Sequence, residues 1–194
     1  MLDPKPGTPI IATMTTPLTS LPPVEADEYI NAIAQHVSSV CVITTELDGE
    51  RFGLTATAVS SVCAEPPRLL VCVNATGYTH DKIVAAGKFC VNVLTEDQDK
   101  VAMVFAGMGD PTARFDTGSW SPLETGAPGL DGAAAVFDCV LTETSDQSTH
   151  SVMFGDVVAT RHRSEPDALL YGGRRFRQLR KVFTGSSGGP DDYL

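Results

Sequence analysis

The sequence predicts a mainly β protein, an antiparallel barrel with a few short helices. Short segments rich in β-branched and apolar residues recur along the chain, from VCVITTEL at residues 40–47 to LLYGG at residues 169–173. These segments follow one another through turn signals such as Asp48–Gly49 more often than through helices. That order favours antiparallel pairing over a doubly wound parallel sheet. Closing the sheet into a barrel would remove its exposed edges.

The length of 194 residues fits one domain with two loose ends. Residues 1–23 are rich in Pro and Thr and show no hydrophobic period, which predicts a disordered or extended arm. We expect the domain to span residues 24–182 and a flexible tail to span residues 183–194. Neither a signal peptide nor an apolar run of the ~18 residues that cross a bilayer is apparent. A cytoplasmic protein without a membrane partner is therefore expected.

The charge of the chain limits the classes of partner that it can bind. The formal net charge is −10, which argues against nucleic acid or an anionic membrane. Half of the fourteen Lys and Arg residues nevertheless fall between residues 161 and 181. Such a patch could hold a small anion, although a solvated loop and strand end explains it more simply. The five cysteines are odd in number and form no CxxC pair, which favours a reducing compartment over disulfides or zinc.

Three helices are expected. Residues 25–37 place Tyr29, Ile30, Ile33 and Val37 at helical spacing. Residues 79–87 form a shorter helix that ends at a glycine. Residues 96–107 form the third, with Val101, Val104 and Phe105 facing inward.

The remaining predicted strands have different characters. GLTATAVSSV at residues 53–62 is expected to be a single strand that follows VCVITTEL through a hairpin. RLLVCVN at residues 68–74 is continuously apolar, which predicts burial on both faces. FCVNVL forms another strand, and two longer strands follow at residues 133–146 and 149–162. Between them, residues 110–130 are rich in Gly, Pro, Ser and Thr and are expected to form a long, functional loop.

GLTATAVSSV is the most unusual of these strands because small and hydroxyl side chains dominate it. Alternation places Thr55, Thr57, Val59 and Ser61 on one face and the intervening residues on the other. A flat ligand can approach the backbone of such a strand while hydroxyls hydrogen-bond to it. Tight packing within a barrel accounts for the same pattern.

Several catalytic signatures are absent from the sequence. It contains no GxGxxG after a strand, no GxxxxGK[ST] and no GxSxG. The four histidines are scattered without metal-ligand spacing. Rossmann dinucleotide binding, kinase, hydrolase and metalloenzyme functions are therefore all disfavoured.

Six segments in order resemble one family. They are GLTATAVSSV, PPRLLVCVN, GKFCVNVL, FAGMGDPTARF, HSVMFGDV and LLYGGRRF, and together they cover about residues 25–180. This order is similar to that of the flavin reductases of two-component monooxygenases, such as the reductase of 4-hydroxyphenylacetate hydroxylase. The resemblance implies a Greek-key, FMN-binding split β-barrel that forms a homodimer.

The resemblance also implies which residues hold the nucleotides. His150 is the implied catalytic residue, on the nicotinamide side. The other implied cofactor contacts fall into five groups: Thr55, Ala56 and Thr57 at the isoalloxazine ring; Ser60 and Ser61 toward the ribityl chain and phosphate; Asn74, whose loop closes over the flavin; Thr79 and Lys82 near the phosphate; and Tyr171 and Arg174 on the last strand.

The activity implied is NAD(P)H:flavin oxidoreduction, with FAD or FMN reduced by NADH and NADPH as the alternative donor. Reduced flavin would then pass to a partner monooxygenase, in a system for aromatic hydroxylation. A non-catalytic flavin carrier or sensor of the same fold is the main alternative. A pyridoxamine-phosphate-type oxidase or haem-handling barrel would require more phosphate-binding Arg and Lys on the early strands, and a plain dimeric barrel would not explain the ordered segments.

Overall fold

The computed structural model describes residues 21–164 and 166–179. Most of the predicted N-terminal arm and all of the predicted tail lie outside these residues. The chain divides into two compact units, Met1–Ile33 and Ala34–Leu194. The first contains a single described helix, and the second contains every described strand.

Three α-helices and twelve strands make up the described structure. The α-helices are α1 (Ala26–Ile33), α2 (Tyr78–Ala86) and α3 (Asp99–Phe105), and short 3-10 helices span Glu96–Gln98 and Pro111–Asp116. The strands are β1 (Ser38–Ser39), β2 (Cys41–Leu47), β3 (Glu50–Ala56), β4 (Val59–Ala64), β5 (Pro67–Asn74), β6 (Lys88–Val93), β7 (Trp120–Pro122), β8 (Pro128–Leu130), β9 (Ala135–Gln147), β10 (His150–His162), β11 (Leu170–Gly172) and β12 (Arg175–Arg177).

Seven of these strands form one antiparallel sheet that curls on itself. Its order is β3-β2-β6-β9-β10-β5-β4, so β3 and β4 are its two edges. In a flat sheet these edges would lie about 29 Å apart, at about 4.8 Å for each of the inter-strand spacings. Ala56 and Val59 are joined by only Thr57 and Ala58, which reach about 11 Å. The sheet must therefore close into a barrel that is split along this seam, which confirms the predicted fold class.

Two apolar clusters fill the second unit, and β2 contributes to both. Val42 packs in a cluster with Phe105 of α3, and its neighbour Ile43 packs in another with Ile83 of α2. Successive residues of a strand point to opposite faces, so each face of β2 meets a different helix. This arrangement fixes α2 and α3 against β2 and β3.

The structure corrects several details of the sequence prediction. GLTATAVSSV is not one strand, because the chain bends at Thr57–Ala58 and places β3 and β4 at opposite sheet edges. RLLVCVN is buried on one face only, since its alternate residues Leu70 and Cys72 are half-exposed. The predicted loop at 110–130 contains a 3-10 helix and the two-stranded β7–β8 ribbon. The first helix is shorter than predicted, and none of its residues is buried.

Candidate active site

Several clefts lie around β3 and the bend that follows it, in the unit Ala34–Leu194. We name one the α3 cleft, of about 500 Å³, and a second the serine cleft, of about 430 Å³. Two further cavities, of about 540 and 250 Å³, share Gly53, Tyr78, Thr79 and Arg114, and together they form the arginine cleft. Thr57 lines both the α3 cleft and the serine cleft, and Ala106 lines both the α3 cleft and the arginine cleft. The clefts therefore adjoin one another.

The α3 cleft brings together the two ends of the predicted site. Its walls are the end of β3, the last turn of α3, and the β11–β12 hairpin. They are lined by Val40, Thr55, Ala56, Thr57, Ala102, Met103, Ala106, Met108, Tyr171, Arg174, Arg175 and Phe176. Small and sulfur-containing side chains thus face two aromatic rings across an open, mainly apolar space. Such a space suits a flat aromatic ligand that stacks on side chains and approaches the backbone closely.

The hairpin that closes the α3 cleft has a tight turn. Tyr171 pairs directly with Phe176, and their rings meet edge-to-face with centroids 5.9 Å apart. Gly173 and Arg174 are the two turn residues, with φ of 62° and 61°. Two central residues with positive φ make a type I′ turn, which matches the twist of paired strands. A non-glycine residue in this left-handed region is unfavourable, and such residues often mark functional sites.

The Thr55 hydroxyl makes a hydrogen bond within the protein, which limits the hydrogen bonds that it can form with a ligand. Its Oγ1 donates to the carbonyl oxygen of Ala102 at 2.6 Å, which ties β3 to α3. The single hydroxyl proton is used there, so toward a ligand this oxygen can only accept. Thr57 is exposed at the bend after β3, where its side chain faces both clefts that it lines.

Four more of the predicted flavin contacts are divided between two clefts. Ser60 and Ser61 line the serine cleft, beside Arg68. Asn74 and Thr79 line the arginine cleft, where the Thr79 hydroxyl donates to the Gly53 carbonyl at 3.2 Å. The structure therefore does not bring the four predicted residues to one place within this chain.

Neither Lys82 nor His150 is among the residues that line these clefts. The Lys82 ammonium lies 5.3 Å from the Phe52 ring centre and 5.4 Å from that of Tyr78, two rings that border the arginine cleft. His150 begins β10 directly opposite Asn74, and its Nδ1 is 2.9 Å from the Thr149 hydroxyl. It is exposed at the rim of the sheet.

A second histidine, which the sequence analysis missed, lines the arginine cleft. His80 Nε2 lies 2.9 Å from Ser151 Oγ, and Ser151 Oγ donates to Asp146 Oδ1 at 2.8 Å. Because the Ser151 proton goes to Asp146, the hydroxyl accepts from His80. This chain of hydrogen bonds fixes the start of α2 to the β9–β10 hairpin.

The sequence analysis also missed the contribution of α3 and of the segment after it. Met103, Ala106 and Met108 line the α3 cleft, and Arg114 and Phe115 line the arginine cleft. One signal was available, because Ala102 and Ala106 are four residues apart and therefore share a helix face. Small residues at that spacing allow close approach to a helix.

A family model described as flavin reductase like domain matches residues 33–180. This chain belongs to that family. The predicted family and enzyme class, a flavin reductase, are thereby confirmed. Within the described residues, no helix is long and apolar enough to cross a membrane, and no cluster of His, Cys, Asp and Glu is arranged to hold a metal ion.

Similar proteins of known name agree with this assignment. The chain is 40% identical over 157 residues to "FMN reductase (NADH) RutF" of Stutzerimonas stutzeri strain A1501, covering 81% of this chain and 90% of that protein. BorF, the flavin reductase component of a bacterial two-component tryptophan halogenase, is 32% identical with a TM-score of 0.74 and covers 81% of this chain and 100% of BorF. The NADH:FAD oxidoreductase SgcE6 of Streptomyces globisporus, solved with NAD and FAD fragments, is 28% identical with a TM-score of 0.75 and covers 86% and 100%.

Proposed function

We propose that this protein uses NADH to reduce FAD or FMN and supplies the reduced flavin to a separate flavin-dependent monooxygenase. The observation that carries this proposal is the α3 cleft. There the residues 55–57, at the end of β3 and the bend after it, share an open, mainly apolar space with Tyr171 and Phe176. The names of the relatives, an NADH-dependent FMN reductase and an NADH:FAD oxidoreductase, support the choice of nucleotides.

The residues present fit this chemistry. When bound, the nicotinamide and the flavin would supply the redox chemistry, a hydride transfer from one to the other, so the protein needs no nucleophile. The protein must hold two flat rings in contact and exclude water. Ala56, Ala102 and Ala106 leave room for a ring close to the backbone, and Met103 and Met108 pack against its edge or face. Backbone amides at the Thr57 bend would stabilise the negative charge that builds on the pyrimidine edge.

We assign the predicted contacts to the clefts as follows. Thr55, Ala56, Thr57, Tyr171 and Arg174 hold the flavin ring in the α3 cleft. Ser60 and Ser61 lie on one side of Thr57, and Asn74, Thr79 and Lys82 on the other, so the phosphate points toward one group or the other.

His150 has the least support from the geometry of a single chain, because it lies outside all of these clefts. Its proposed contact with the nicotinamide therefore requires a separate test. His150→Gln should raise KM for NADH and leave KM for flavin within about twofold, since the flavin contacts are elsewhere. Equal changes in both constants would indicate a general disturbance rather than a nicotinamide contact.

We also propose a homodimer that covers β4. Every residue of β4 is exposed or half-exposed, and the strand is a sheet edge with Val62 44% exposed. Exposed apolar edge strands invite pairing and are usually covered in soluble proteins. Val62→Lys should convert a dimer to a monomer in light scattering coupled to size exclusion. A monomeric wild-type protein at micromolar concentration would contradict this proposal.

The partner is proposed to be a monooxygenase that acts on an aromatic substrate, because the segments that carry the family resemblance match the reductase of an aromatic hydroxylase. A reducing, cytoplasmic location is proposed from the five cysteines, all of which are free.

The deciding experiment is NADH oxidation by the purified protein with and without riboflavin, FMN or FAD, followed at the nicotinamide absorption band. Oxidation that requires added flavin is expected, with NADPH slower. A folded protein that binds flavin but oxidises neither NADH nor NADPH would indicate a carrier or sensor instead.

A further inference from the structure

The end of α3 places two methionines near each other at the α3 cleft. Ala106 caps the helix, and Gly107 follows it with a φ of 95°. The Gly107 amide donates to the Val104 carbonyl at 3.1 Å, and the Met108 amide donates to the Met103 carbonyl at 3.0 Å. These two bonds are those of a Schellman motif, in which the residues joined by the outer bond often make a hydrophobic contact. In this chain both of those residues are methionine.

Both methionines line the α3 cleft and are open to solvent. Met103 is 39% exposed and Met108 is 65% exposed. Met153, the third methionine among the described residues, is fully buried. Oxidation of a thioether requires the oxidant to reach the sulfur, so exposure decides which methionines react. A dissolved oxidant should therefore modify the two methionines of the cleft and spare Met153 while the protein stays folded.

The proposed activity generates such an oxidant in air. Dioxygen takes two electrons and two protons from any reduced flavin that no oxygenase has consumed, which gives hydrogen peroxide and oxidised flavin. Hydrogen peroxide then transfers one oxygen atom to a thioether. The O–O bond breaks, an S–O bond forms, the sulfur is oxidised by two electrons, and water leaves; the product is methionine sulfoxide. Dioxygen and reduced flavin are the only reactants that this sequence adds to the thioether.

A sulfoxide would change the chemical character of the α3 cleft. The cleft is mainly apolar, and the two methionines share it with the rings of Tyr171 and Phe176. Oxidation turns a flexible apolar side chain into a polar one that carries a hydrogen-bond acceptor. The face of a flat ring offers that acceptor no donor, so a ring that covers the sulfoxide removes its water without replacing the lost hydrogen bonds. The oxidised cleft should therefore bind a flavin ring more weakly.

We propose that Met103 and Met108 are a peroxide-sensitive modification site that lowers the affinity of the α3 cleft for flavin when reduced flavin is not consumed. The proposal rests on the proposed function, because it assumes that the flavin ring occupies this cleft and that the protein reduces it. It adds a regulation to that function, since the reductase slows when its product accumulates and reacts with dioxygen. Methionine sulfoxide reductases reverse the modification and would return the protein to full activity.

Cys63 is the competing target for peroxide. It is an exposed free thiol that lines the serine cleft, which adjoins the α3 cleft. Peroxide converts a cysteine to sulfenic acid, which a thiol such as dithiothreitol reverses, whereas a methionine sulfoxide requires a methionine sulfoxide reductase. The reagent that restores flavin binding therefore identifies the residue responsible. Cys63→Ser provides the matched control variant, because it removes this thiol and leaves both methionines in place.

The test has two arms. In the first, the protein is treated with hydrogen peroxide without NADH or flavin, the peroxide is removed with catalase, oxidised residues are located by mass spectrometry of peptides, and Kd for FMN is measured by quenching of flavin fluorescence. In the second, the protein oxidises NADH with FMN in air without an oxygenase, with and without catalase. Both arms include Cys63→Ser and the double variant Met103→Leu, Met108→Leu, which keeps side-chain volume. Each variant is compared with its own untreated sample.

Peroxide should add one oxygen atom to Met103 and to Met108, spare Met153, and raise Kd for FMN by about tenfold. A sulfoxide reductase should restore Kd, and the double leucine variant should keep it. In the second arm, activity should decline during turnover unless catalase is present. An unchanged Kd after both methionines are oxidised would overturn the proposal. So would an equal loss in the double leucine variant, recovery with dithiothreitol, or protection by Cys63→Ser.

Failure of the proposed function has a different signature. It would abolish NADH oxidation in the second arm with riboflavin, FMN and FAD alike, before any peroxide forms. The first arm requires no turnover, so it tests the accessibility of the two methionines and their effect on flavin binding separately.

Discussion

Arg68 and Asp156 are direct partners across the β5–β10 ladder, and Arg68 Nε lies 2.6 Å from Asp156 Oδ1. The hydrogen bond and the charge of Arg68 hold the pKa of the Asp156 carboxyl below its ordinary value. Both side chains are about one-third exposed. Asp156 therefore fixes an arginine that lines the serine cleft, which gives the Asp of HSVMFGDV a structural role.

This pair should make the stability of the fold depend on pH. A carboxyl whose pKa is lower in the folded state stabilises the protein above its ordinary pKa, and that contribution is lost as pH falls through the lower folded value. Asp156→Asn should lower Tm slightly at about pH 7, and the difference from wild type should vanish in strong acid. Thermal unfolding across this pH range measures the effect. Arg68→Gln should give the same pH profile, and a difference that persists in acid would exclude the ion pair as its cause.

Gly155, in the same segment, is required by packing. A Cβ at this position would lie 2.5 Å from Phe89 Cζ and 2.8 Å from Cys139 Cβ, and Phe89 is fully buried. Gly155→Ala should destabilise the protein by about 1–3 kcal/mol through overpacking. Urea unfolding measures the loss. Gly49→Ala is the comparison, because it has open space but a φ of 83°, and it should cost about 1 kcal/mol.

Asn92 is the buried amide of FCVNVL. Its Nδ2 donates to the Val42 carbonyl at 2.9 Å, and its Oδ1 accepts from the Leu130 amide at 2.6 Å, which joins β2 and β8 to β6. Asn92→Leu should leave the buried Leu130 amide without a partner and lower the free energy of unfolding by about 1–3 kcal/mol. Chemical denaturation provides the measurement. Gln147→Leu removes an exposed amide and should be nearly neutral.

Three of the five thiols should be unreactive until the protein unfolds. Burial raises the pKa of Cys41 to about 12, and burial together with the Asp138 and Asp156 carboxylates raises that of Cys139 to about 12. The pKa of Cys90 is raised as well, by burial first and by Asp138 second. The thiolate is the reactive form, so iodoacetamide at neutral pH should spare all three and modify them in denaturant. Mass spectrometry of alkylated peptides tests this, and native labelling of Cys90 would contradict the buried position.

Much of the fold follows from local patterns. Strand and turn signals locate β2, β3, β5, β6, β9 and β10 to within a few residues, since these signals depend on neighbours in sequence. The break at Thr57–Ala58 could not be found in this way, because small β-forming residues continue through it. What separates β3 from β4 is the closure of the whole sheet.

Only part of the candidate site could be predicted from the sequence, because its other residues come together only in the folded structure. Thr55, Ala56, Thr57, Tyr171 and Arg174 were selected by resemblance, and the structure brings them to one cleft. The roles of Gly155 and Asn92 are visible only through contacts with Phe89 and Leu130, which lie far away in the chain. Arg114 was inconspicuous in the sequence because its place in the arginine cleft depends on residues from distant parts of the chain.

The strand order also predicts an order of events in folding. β2–β3, β4–β5 and β9–β10 are hairpins of neighbouring strands, which can form in microseconds. The contacts β2–β6, β6–β9 and β5–β10 join segments far apart in the chain, and each requires closure of a long loop before it gains any stabilisation. We therefore expect the three hairpins to form early and to pair with the rest of the sheet later. Until the last of them docks, the barrel stays open, and the walls of the α3 cleft, which come from β3, α3 and the β11–β12 hairpin, meet only after these long-range contacts form.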